Sequence, residues 1–429
     1  MTTVETPPAR ATEQAPERAE SRAGAARAAA DLTALEERYG AHNYHPLDVT
    51  IHRAEGVWVW DVEGRRYMDF LASYSAVNQG HCHPRIVAAL VDQAARVALT
   101  SRAFRNDQLG LFYRDLAELT GFAKVLPMNT GAEAVETAIK AARKWAYTVK
   151  GVPDGEAEIL VFENNFHGRT TTIVGFSSEE QYRSGFGPFT PGFTLLPYGD
   201  AAAVEAALVE HGDRVAAVLV EPIQGEGGIV VPPEGYLRTL RELTRRHRAL
   251  LMIDEIQSGL GRTGKMFAYE HEGVRPDVVI LGKALSGGLY PVSAIVADDE
   301  VMGVFRPGDH GSTYGGNPVG AAVARAALAV IVDEGLVERS AELGAYMIER
   351  LRAIESPHVA EVRGRGLWIG IELRREAGGA RRFCEALQNE GLLCKETHDH
   401  VIRIAPPLVI TREEIDWALE RIERVLTGP

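Results

Sequence analysis

The sequence has few cysteines, no long hydrophobic run and no cluster of basic residues. Its three cysteines, Cys82, Cys384 and Cys394, form no CxxC pair, which is typical of a protein from a reducing compartment. No apolar stretch reaches the ~18 residues that a membrane-spanning helix needs. A net charge of −13 without a basic run argues against binding to nucleic acid or to anionic membranes. We therefore expect a cytoplasmic protein that binds neither nucleic acid nor membranes.

The chain of 429 residues is longer than one hydrophobic core usually organises, so two or three domains are expected. Residues 1–30 are rich in Ala, Arg, Glu and Pro and lack aromatic residues, which predicts a disordered tail. Acidic residues offset the arginines of this stretch, so we do not expect a transit peptide.

Beyond the tail, buried strand patterns alternate with helical ones, which predicts βαβ units and a mainly parallel sheet. The fold class is therefore α/β. After about residue 335 the pattern changes to α+β, which predicts a second, smaller domain. The predicted segments are a tail (1–30), an N-terminal segment packing with the small domain (31–80), a large cofactor-binding domain (81–334) and a C-terminal small domain (335–429).

Lys283 is the first candidate for chemistry, because it follows the short apolar run Val278–Leu281 and Gly282. Such a run predicts a buried strand, and open α/β sheets bind their ligands at the carboxyl ends of strands. A desolvated lysine there can lose its proton and form a Schiff base with an aldehyde. A lone lysine more often extends from a loop to solvent, so other residues must decide between the two.

Two other strand ends carry suitable groups. Thr130-Gly131-Ala132 joins a predicted strand to a helix, where free N–H groups and the helix dipole favour a phosphate, although ordinary turns look the same. Asp254 ends a predicted strand, where an acid can keep a pyridinium nitrogen protonated. An ordinary helix N-cap is the alternative for Asp254.

Further segments add a planar ring, an arginine and hydroxyl groups. Phe166 and His167 stand just before Arg169, so a ring can stack on a cofactor and the guanidinium can hold a carboxylate. Ser312 and Thr313 lie in a glycine-rich stretch suited to a phosphate. His81-Cys82-His83 has no second cluster at ligand spacing, so we expect no metal.

Together these motifs resemble the class III pyridoxal-phosphate-dependent aminotransferases, from about Tyr39 to the C-terminus. Within the class, three runs are similar to those of the enzymes that act on ornithine. They are Asn43-Tyr-His-Pro, Ser73-Tyr-Ser-Ala-Val-Asn-Gln-Gly-His-Cys-His-Pro and Arg403-Ile-Ala-Pro-Pro-Leu. The resemblance implies the aspartate aminotransferase-like fold (fold type I), the cofactor pyridoxal 5'-phosphate, and amino-acid and 2-oxo-acid substrates.

The resemblance also implies roles for the cofactor-binding residues. Lys283 is the implied Schiff-base lysine and proton carrier, Asp254 the partner of the pyridinium, and Gln257 the neighbour of the phenolic oxygen. Phe166 is the implied stacking ring. Phosphate contacts are implied for Thr130, Gly131, Ala132, Ser312 and Thr313. Because Thr313 is implied to come from the neighbouring subunit, we expect at least a homodimer.

The implied substrate residues form a second group. Tyr44 and Arg169 would hold the amino-acid end of the substrate, and Tyr74 would line its pocket. Glu226, on a glycine-rich loop that we expect to be flexible, would pair with Arg403 and gate between the two substrates. A structural ion pair is the alternative for these two residues.

Two departures and two rival functions stay open. His167 stands where some of these enzymes have Trp, and residues 1–30 match no motif of the family. N-acetylornithine, 4-aminobutyrate or lysine are alternative substrates, and Tyr44 and Tyr74 discriminate because a free α-amino group needs polar partners. A regulator that binds the cofactor without chemistry is a different class, which the Lys283 and Asp254 pair argues against.

Overall fold

A computed structural model describes residues 29–428 of the chain. Their contacts divide them into two units, residues 29–54 with Trp58–Tyr67, and Glu55–Val57 with residues 68–428. Residues 29 and 30, which we assigned to the tail, belong to a helix, and residues 1–28 lie outside the described residues. The four predicted segments stay a prediction.

The first unit contains a helix, α1 (residues 29–39), and most of three strands. The strands are β1 (Ile51–Glu55), β2 (Trp58–Asp61) and β3 (Arg66–Asp69), of which Glu55, Met68 and Asp69 belong to the second unit. The predicted hairpin is confirmed, since β2 and β3 are neighbours joined by a tight turn. The Asp61 carboxylate closes this turn by accepting the N–H groups of Glu63 (2.9 Å) and Arg65 (2.8 Å).

The second unit is built on a seven-stranded sheet. Its strands are β4 (Lys124–Met128), β5 (Glu158–Phe162), β6 (Phe193–Leu196), β7 (Val215–Val220), β8 (Leu250–Asp254), β9 (Val278–Leu281) and β10 (Ser293–Ala297). The order is β4-β10-β9-β8-β7-β5-β6, and only β10 runs antiparallel to its two neighbours. The predicted mainly parallel sheet is confirmed. We missed β6, an edge strand whose residues are mostly half-buried and so lack a continuous apolar pattern.

Helices pack on this sheet, on the smaller sheet that follows it and on one another. They are α2 (Ala72–Ser75), α3 (Pro84–Arg96), α4 (Leu109–Thr120), α5 (Gly131–Trp145), α6 (Thr171–Gly175), α7 (Glu180–Arg183), α8 (Ala201–His211), α9 (Tyr236–Arg246), α10 (Asp299–Met302), α11 (Pro318–Asp333), α12 (Leu336–Arg352), α13 (Arg381–Asn389) and α14 (Arg412–Thr427). The apolar face of α5 packs into the main core. None of the described helices combines the length and apolarity needed to cross a bilayer.

A smaller antiparallel sheet follows toward the C-terminus. Its order is β11-β12-β15-β14, with β11 (Val359–Arg365), β12 (Trp368–Leu373), β14 (Lys395–Thr397) and β15 (Val401–Ile404). The two-residue strand β13 (Leu392–Leu393) pairs with Met68 and Asp69 at the end of β3. The capping box at Thr411 and Glu414 begins α14 as predicted. We missed β11 and β14, which have few fully buried residues.

The short element α2 (Ala72–Ser75) is a left-handed turn and not an ordinary α-helix. It begins the stretch from residue 73 that we predicted as a polar loop. All four residues of α2 have positive φ, between 46° and 70°, although none is glycine. Left-handed backbone costs ~1–2 kcal/mol per L-residue, so neighbouring contacts must stabilise it. Asp69 supplies two of these by accepting the N–H groups of Leu71 (2.8 Å) and Ala72 (3.0 Å). The turn sets the position of Tyr74.

Arg262 connects three distant segments in the interior of the second unit. Its guanidinium is fully buried and donates to the carbonyls of Leu367 (2.9 Å) and Pro406 (2.7 Å) and to Oδ1 of Asn78 (2.5 Å). Burial lowers the pKa of Arg262 to about 9, because its acceptors are neutral. The loop after β8 is thereby fixed to the smaller sheet.

We predict that Arg262→Met destabilises the protein strongly. The substitution keeps apolar volume but leaves three buried acceptors without donors, which corresponds to a loss of about 3 kcal/mol or more in unfolding free energy. The matched control is Arg246→Met, whose exposed ion pair with Glu205 contributes about 0–1 kcal/mol. Urea unfolding of both variants measures the difference, and equal losses would contradict the prediction.

Candidate active site

Charged side chains follow three adjacent parallel strands at the same edge of the sheet. Glu221 follows β7, Asp254 ends β8, and Lys283 stands two residues after β9. All three line one cavity of about 200 Å³. The complete lining is Gly131, Ala132, Phe166, His167, Gly168, Glu221, Ile223, Asp254, Ile256, Gln257, Ser258 and Lys283. Most of the predicted cofactor residues therefore lie together.

Lys283 points its amine into this cavity. Its Nζ donates to Oε1 of Gln257 at 3.0 Å, and its backbone has a positive φ of 44°. Burial lowers the pKa of the Lys283 amine, while the charges of Glu226 and Asp254 act in the opposite direction without cancelling the effect. The neutral, nucleophilic form is therefore more accessible than in an ordinary lysine.

Asp254 uses its two carboxylate oxygens differently. Oδ1 accepts the N–H of Ile256 at 3.0 Å, and Oδ2 bonds Nδ1 of His167 at 2.7 Å. Burial favours the neutral imidazole, but the hydrogen bond and charge of Asp254 outweigh it and raise the pKa of His167. The helix N-cap interpretation of Asp254 is wrong, because turns and not a helix follow β8, and Asp254 is a buried acid in the cavity lining. His167 had been considered only as a ring, and its bond to Asp254 was missed.

The turn before α5 has the geometry of an anion site. Thr130 caps the helix by accepting the N–H of Glu133, and Glu133 accepts the N–H of Thr130 (2.8 Å). The first N–H groups of a helix have no intrahelical acceptor. A Cβ on Gly131 would lie 3.0 Å from Cδ1 of Ile256, and one on Gly168 (φ 127°) 2.9 Å from Cβ of Ala132. Glycine at both positions keeps the backbone close to the cavity.

Phe166 and Arg169 form an aromatic–cationic group at the cavity. The Phe166 ring lines the cavity and meets Tyr182 edge-on. The guanidinium of Arg169 lies 4.4 Å from the ring centre of Tyr182 and 5.7 Å from that of Phe166. Arg169 is exposed, so its remaining donors face solvent where a carboxylate can reach them.

Arg403, on β15, pairs with Glu226. Nη1 of Arg403 and Oε1 of Glu226 are 2.5 Å apart, and the arginine side chain is 4% exposed against 21% for the glutamate. The Arg403 guanidinium also lies 4.6 Å from the ring centre of Tyr74. The predicted ion pair is therefore present, and Tyr74, another predicted substrate residue, lies beside its arginine.

The loop that carries Glu226 is held tightly, so the expectation of a flexible loop is wrong. Gln224 and Val230 exchange backbone hydrogen bonds of 3.1 and 2.9 Å, which close the loop on itself. Thr397 donates to the carbonyl of Glu226 at 2.5 Å, and Arg363 donates to that of Gly228 at 2.8 Å. The glycines shape a close turn here rather than loosen it.

Some predicted residues are not among those that line the cavity. Tyr44 belongs to the first unit and is 73% exposed. Ser312 is half-buried and accepts a hydrogen bond from Asn129 (2.9 Å), and Thr313 is exposed. Thr130 is also exposed at the start of α5. Their roles remain predictions.

Glu221 is a buried site residue that sequence reasoning missed. Its oxygens accept the N–H groups of Phe166 (3.0 Å) and Gly225 (3.3 Å). Burial and the nearby charge of Asp254 raise the pKa of Glu221 to about 7, although His167 and the two N–H groups oppose the rise. An acid directly after a buried strand, the pattern that drew attention to Asp254, was the available signal.

No group of three or more possible metal ligands occurs within residues 29–428. In the His81-Cys82-His83 segment, His81 bonds Asp69 (2.7 Å) and His83 bonds Glu334 (3.0 Å). Both histidines therefore have a structural explanation.

Comparison with known proteins identifies the family. The family model described as aminotransferase class-III matches residues 39–426. The chain belongs to the class-III aminotransferases. A curated relative from Brevibacillus brevis, named ornithine aminotransferase, is 59% identical over 91% of this chain and 96% of its own length. One of the same name from Bacillus subtilis is 58% identical over 90% and 95%. The resemblance inferred from the motifs is confirmed.

Solved structures share the fold at high identity. An ornithine aminotransferase from Toxoplasma gondii has a TM-score of 0.91 and 47% identity, with 93% of this chain and 94% of the other covered. An acetylornithine aminotransferase from Elizabethkingia anophelis has a TM-score of 0.85 and 49% identity, covering 93% and 98%. The predicted fold is confirmed.

Pyridoxal 5'-phosphate is the cofactor of this family, and the residues present fit it. The cavity brings together an amine (Lys283), a buried acid (Asp254), a planar ring (Phe166) and the start of a helix. A Cβ on Gly225 would lie 2.6 Å from Oε1 of Gln257, so the cavity wall leaves no space there for a larger residue. Each chemical feature of the cofactor, its aldehyde, ring nitrogen, ring face and phosphate, has a matching group.

We predict that replacing Lys283 with Met stabilises the cofactor-free protein, most strongly at neutral pH. The folded-state pKa of Lys283 lies below the ordinary value of 10.5, so the unfolded chain binds its proton more tightly. Wild-type stability therefore rises with pH between the folded pKa and 10.5, and the advantage of the variant shrinks over that window.

Urea unfolding at pH 7 and pH 10 measures this advantage. Lys124→Met, at a side chain that is 56% exposed, reports the effect of the same substitution at the surface. If the gain in unfolding free energy from Lys283→Met increased with pH, the lowered pKa of the buried Lys283 amine would be contradicted.

Proposed function

We propose that the protein is an ornithine aminotransferase. It transfers the δ-amino group of L-ornithine to a 2-oxo acid, 2-oxoglutarate, and yields L-glutamate 5-semialdehyde and an L-amino acid. The observation that carries this proposal is the Glu226–Arg403 ion pair, both of whose charges act on the buried amine of Lys283. Curated relatives of this name, which are 58–60% identical over nine-tenths of the chain, support it.

Pyridoxal phosphate, when bound, supplies an aldehyde that condenses with amines and a protonated ring that withdraws electrons. Lys283 would hold the aldehyde of the cofactor and would move a proton at its Nζ. Asp254, which is bonded to Nδ1 of His167, would face the ring nitrogen. Gln257, which already bonds Nζ of Lys283, stands beside the phenolic oxygen.

The remaining cofactor contacts hold the ring and phosphate. Phe166 would stack on the ring, and Thr130, Gly131 and Ala132 would bind the phosphate at the start of α5. Ser312 and the exposed Thr313 would complete the phosphate site, with Thr313 contributed by the neighbouring subunit of a homodimer. All three cysteines are unpaired, which supports the expected cytoplasmic location.

One pocket must accept two differently shaped molecules. Ornithine enters with its δ-amine toward Lys283, while Arg169 and Tyr44 bind its α-carboxylate and α-amine and Tyr74 lines the pocket. 2-Oxoglutarate presents a carboxylate next to its reacting carbon, and Arg403 binds that carboxylate. In the first half-reaction Glu226 occupies Arg403 and keeps ornithine from binding with its α-carbon at the reactive position.

The gate acts through a side chain. Because hydrogen bonds hold the backbone of the Gln224–Val230 turn, Arg403 is released by rotation of the Glu226 side chain, which is the more exposed partner. A dicarboxylate competes for the guanidinium and replaces the bond that is lost.

An alternative within the class is N-acetylornithine as amino donor. The Elizabethkingia anophelis protein of that description is 49% identical and supports keeping it as a second candidate. Lysine and 4-aminobutyrate are further alternatives of the same chemistry. The candidate substrates differ in whether they carry a free α-amino group, which Tyr44 and Tyr74 would have to bind.

Half-reactions test the assignment directly. Purified holoenzyme is mixed with ornithine, N-acetylornithine, lysine or 4-aminobutyrate, and cofactor absorbance is followed. We expect conversion to be fastest with ornithine and to yield glutamate 5-semialdehyde. Faster conversion with N-acetylornithine would overturn the substrate while leaving the family intact.

Lys283→Ala should lower turnover of ornithine by several orders of magnitude, because both the Schiff-base amine and the proton carrier are lost. Cofactor should still bind through its phosphate contacts. Lys124→Ala, at the surface, serves as the matched control. Near wild-type turnover by Lys283→Ala would refute the placement of the site.

Glu226→Ala should unmask Arg403. The glutamate half-reaction should accelerate by about tenfold or more, because Arg403 no longer has to break a charge-assisted bond. Ornithine should begin to react at its α-amine as well. Stopped-flow rates and product analysis measure both effects, with Glu205→Ala, at a 51% exposed partner of Arg246, as control. Unchanged glutamate rates together with pure δ-transfer would eliminate the gate.

A further inference from the structure

Glu221 links the segment of Phe166 to the turn of Gly225, two segments that Gln224 also connects by donating to the carbonyl of Glu163 (2.7 Å). Its Oε2 accepts the N–H of Phe166, and its Oε1 accepts the N–H of Gly225. Phe166 carries the ring proposed to stack on the cofactor. Gly225 directly precedes Glu226, the proposed gate. One carboxylate therefore spans the distance between the ring and the gate.

The position of Gly225 is transmitted to Glu226. The carbonyl of Gly225 accepts the N–H groups of Gly228 (3.1 Å) and Ile229 (3.2 Å), so the turn moves as one piece. On its other side, a Cβ at Gly225 would lie 2.6 Å from Gln257 and 2.9 Å from Trp368. Gly225 is thus confined between these side chains and the Glu221 carboxylate.

The chemistry of this link requires two acceptors. Both partners are backbone N–H groups, and a carboxylate offers an oxygen to each. Burying that carboxylate near Asp254 is costly, as the raised pKa of Glu221 indicates. Glutamine would remove the charge, but its NH₂ group would face one of the two N–H groups, and that N–H would lose its acceptor.

We propose that Glu221 is a positioning residue for substrate discrimination, because it sets the place of Glu226, and hence the masking of Arg403, relative to the ring of Phe166. This inference rests on the proposed function. Glu221 acts through Glu226, so its effect falls on the balance between the two half-reactions rather than on both equally.

The test uses holoenzyme and Glu221→Gln. Of the two hydrogen bonds, the one from the N–H of Gly225 is longer. We therefore expect the amide oxygen of the variant to accept the N–H of Phe166, while its NH₂ group pushes the N–H of Gly225 away. The ratio of glutamate to ornithine half-reaction rates should rise about tenfold, the size of one charge-assisted hydrogen bond. Glu221→Asp keeps the charge but is too short to reach both N–H groups, and it should raise the ratio similarly.

The matched control is Glu255→Gln. Glu255 is also a buried acid with two donors, the N–H of Tyr269 (2.9 Å) and the hydroxyl of Ser258 (2.7 Å). Burial raises its pKa to about 7 as well. Its substitution should lower stability without changing the ratio, which separates a general packing defect from the proposed role.

A double variant tests the route of the effect. In a Glu226→Ala background, Glu221→Gln should change the ratio by less than about twofold, because the residue it positions is gone. The inference would be overturned if neither Glu221 variant changed the ratio, or if Glu221→Asp alone had the wild-type ratio. It would also be overturned if Glu221→Gln still changed the ratio in the Glu226→Ala background. Failure of wild-type holoenzyme to react with ornithine would instead overturn the proposed function.

Discussion

The burial of charge at the ends of adjacent parallel strands is the constraint on which this structure depends. Parallel strands bring their carboxyl ends to one edge, so Glu221, Asp254 and Lys283 become neighbours although they are distant in sequence. A low-dielectric cavity makes each of these charges expensive unless it is compensated. The same cost raises the pKa of Glu221 and lowers that of Lys283.

Each buried charged side chain has a different kind of partner, and each of these pairings holds a loop in place. Asp254 is paired with His167, and Glu221 with two backbone N–H groups. Arg403 is paired with Glu226. Arg262, away from the cavity, uses neutral acceptors from three segments. The loops that form the site are therefore positioned by the partners that buried charges require.

Regular elements with a buried face were predictable, and exposed or strained ones were not. The runs that form β7 and β9 have every residue buried, so their apolar pattern is continuous in the sequence. Strands β6 and β11 lie at sheet edges with little full burial, and their patterns are weak. The left-handed turn at Ala72–Ser75 contains no glycine and so carries no local signal. Contacts in the folded structure, among them those of Asp69, stabilise it.

The sequence by itself determined the α/β class, the family and six of the twelve residues that line the cavity, because strand-end motifs are local and their chemistry is specific. The tertiary structure decided how these residues are paired. It placed His167 on Asp254, Glu221 between Phe166 and Gly225, and Glu226 on a fixed turn. Pairings of this kind depend on register and on long-range packing, and protonation depends on burial, so neither is encoded in any short stretch of sequence.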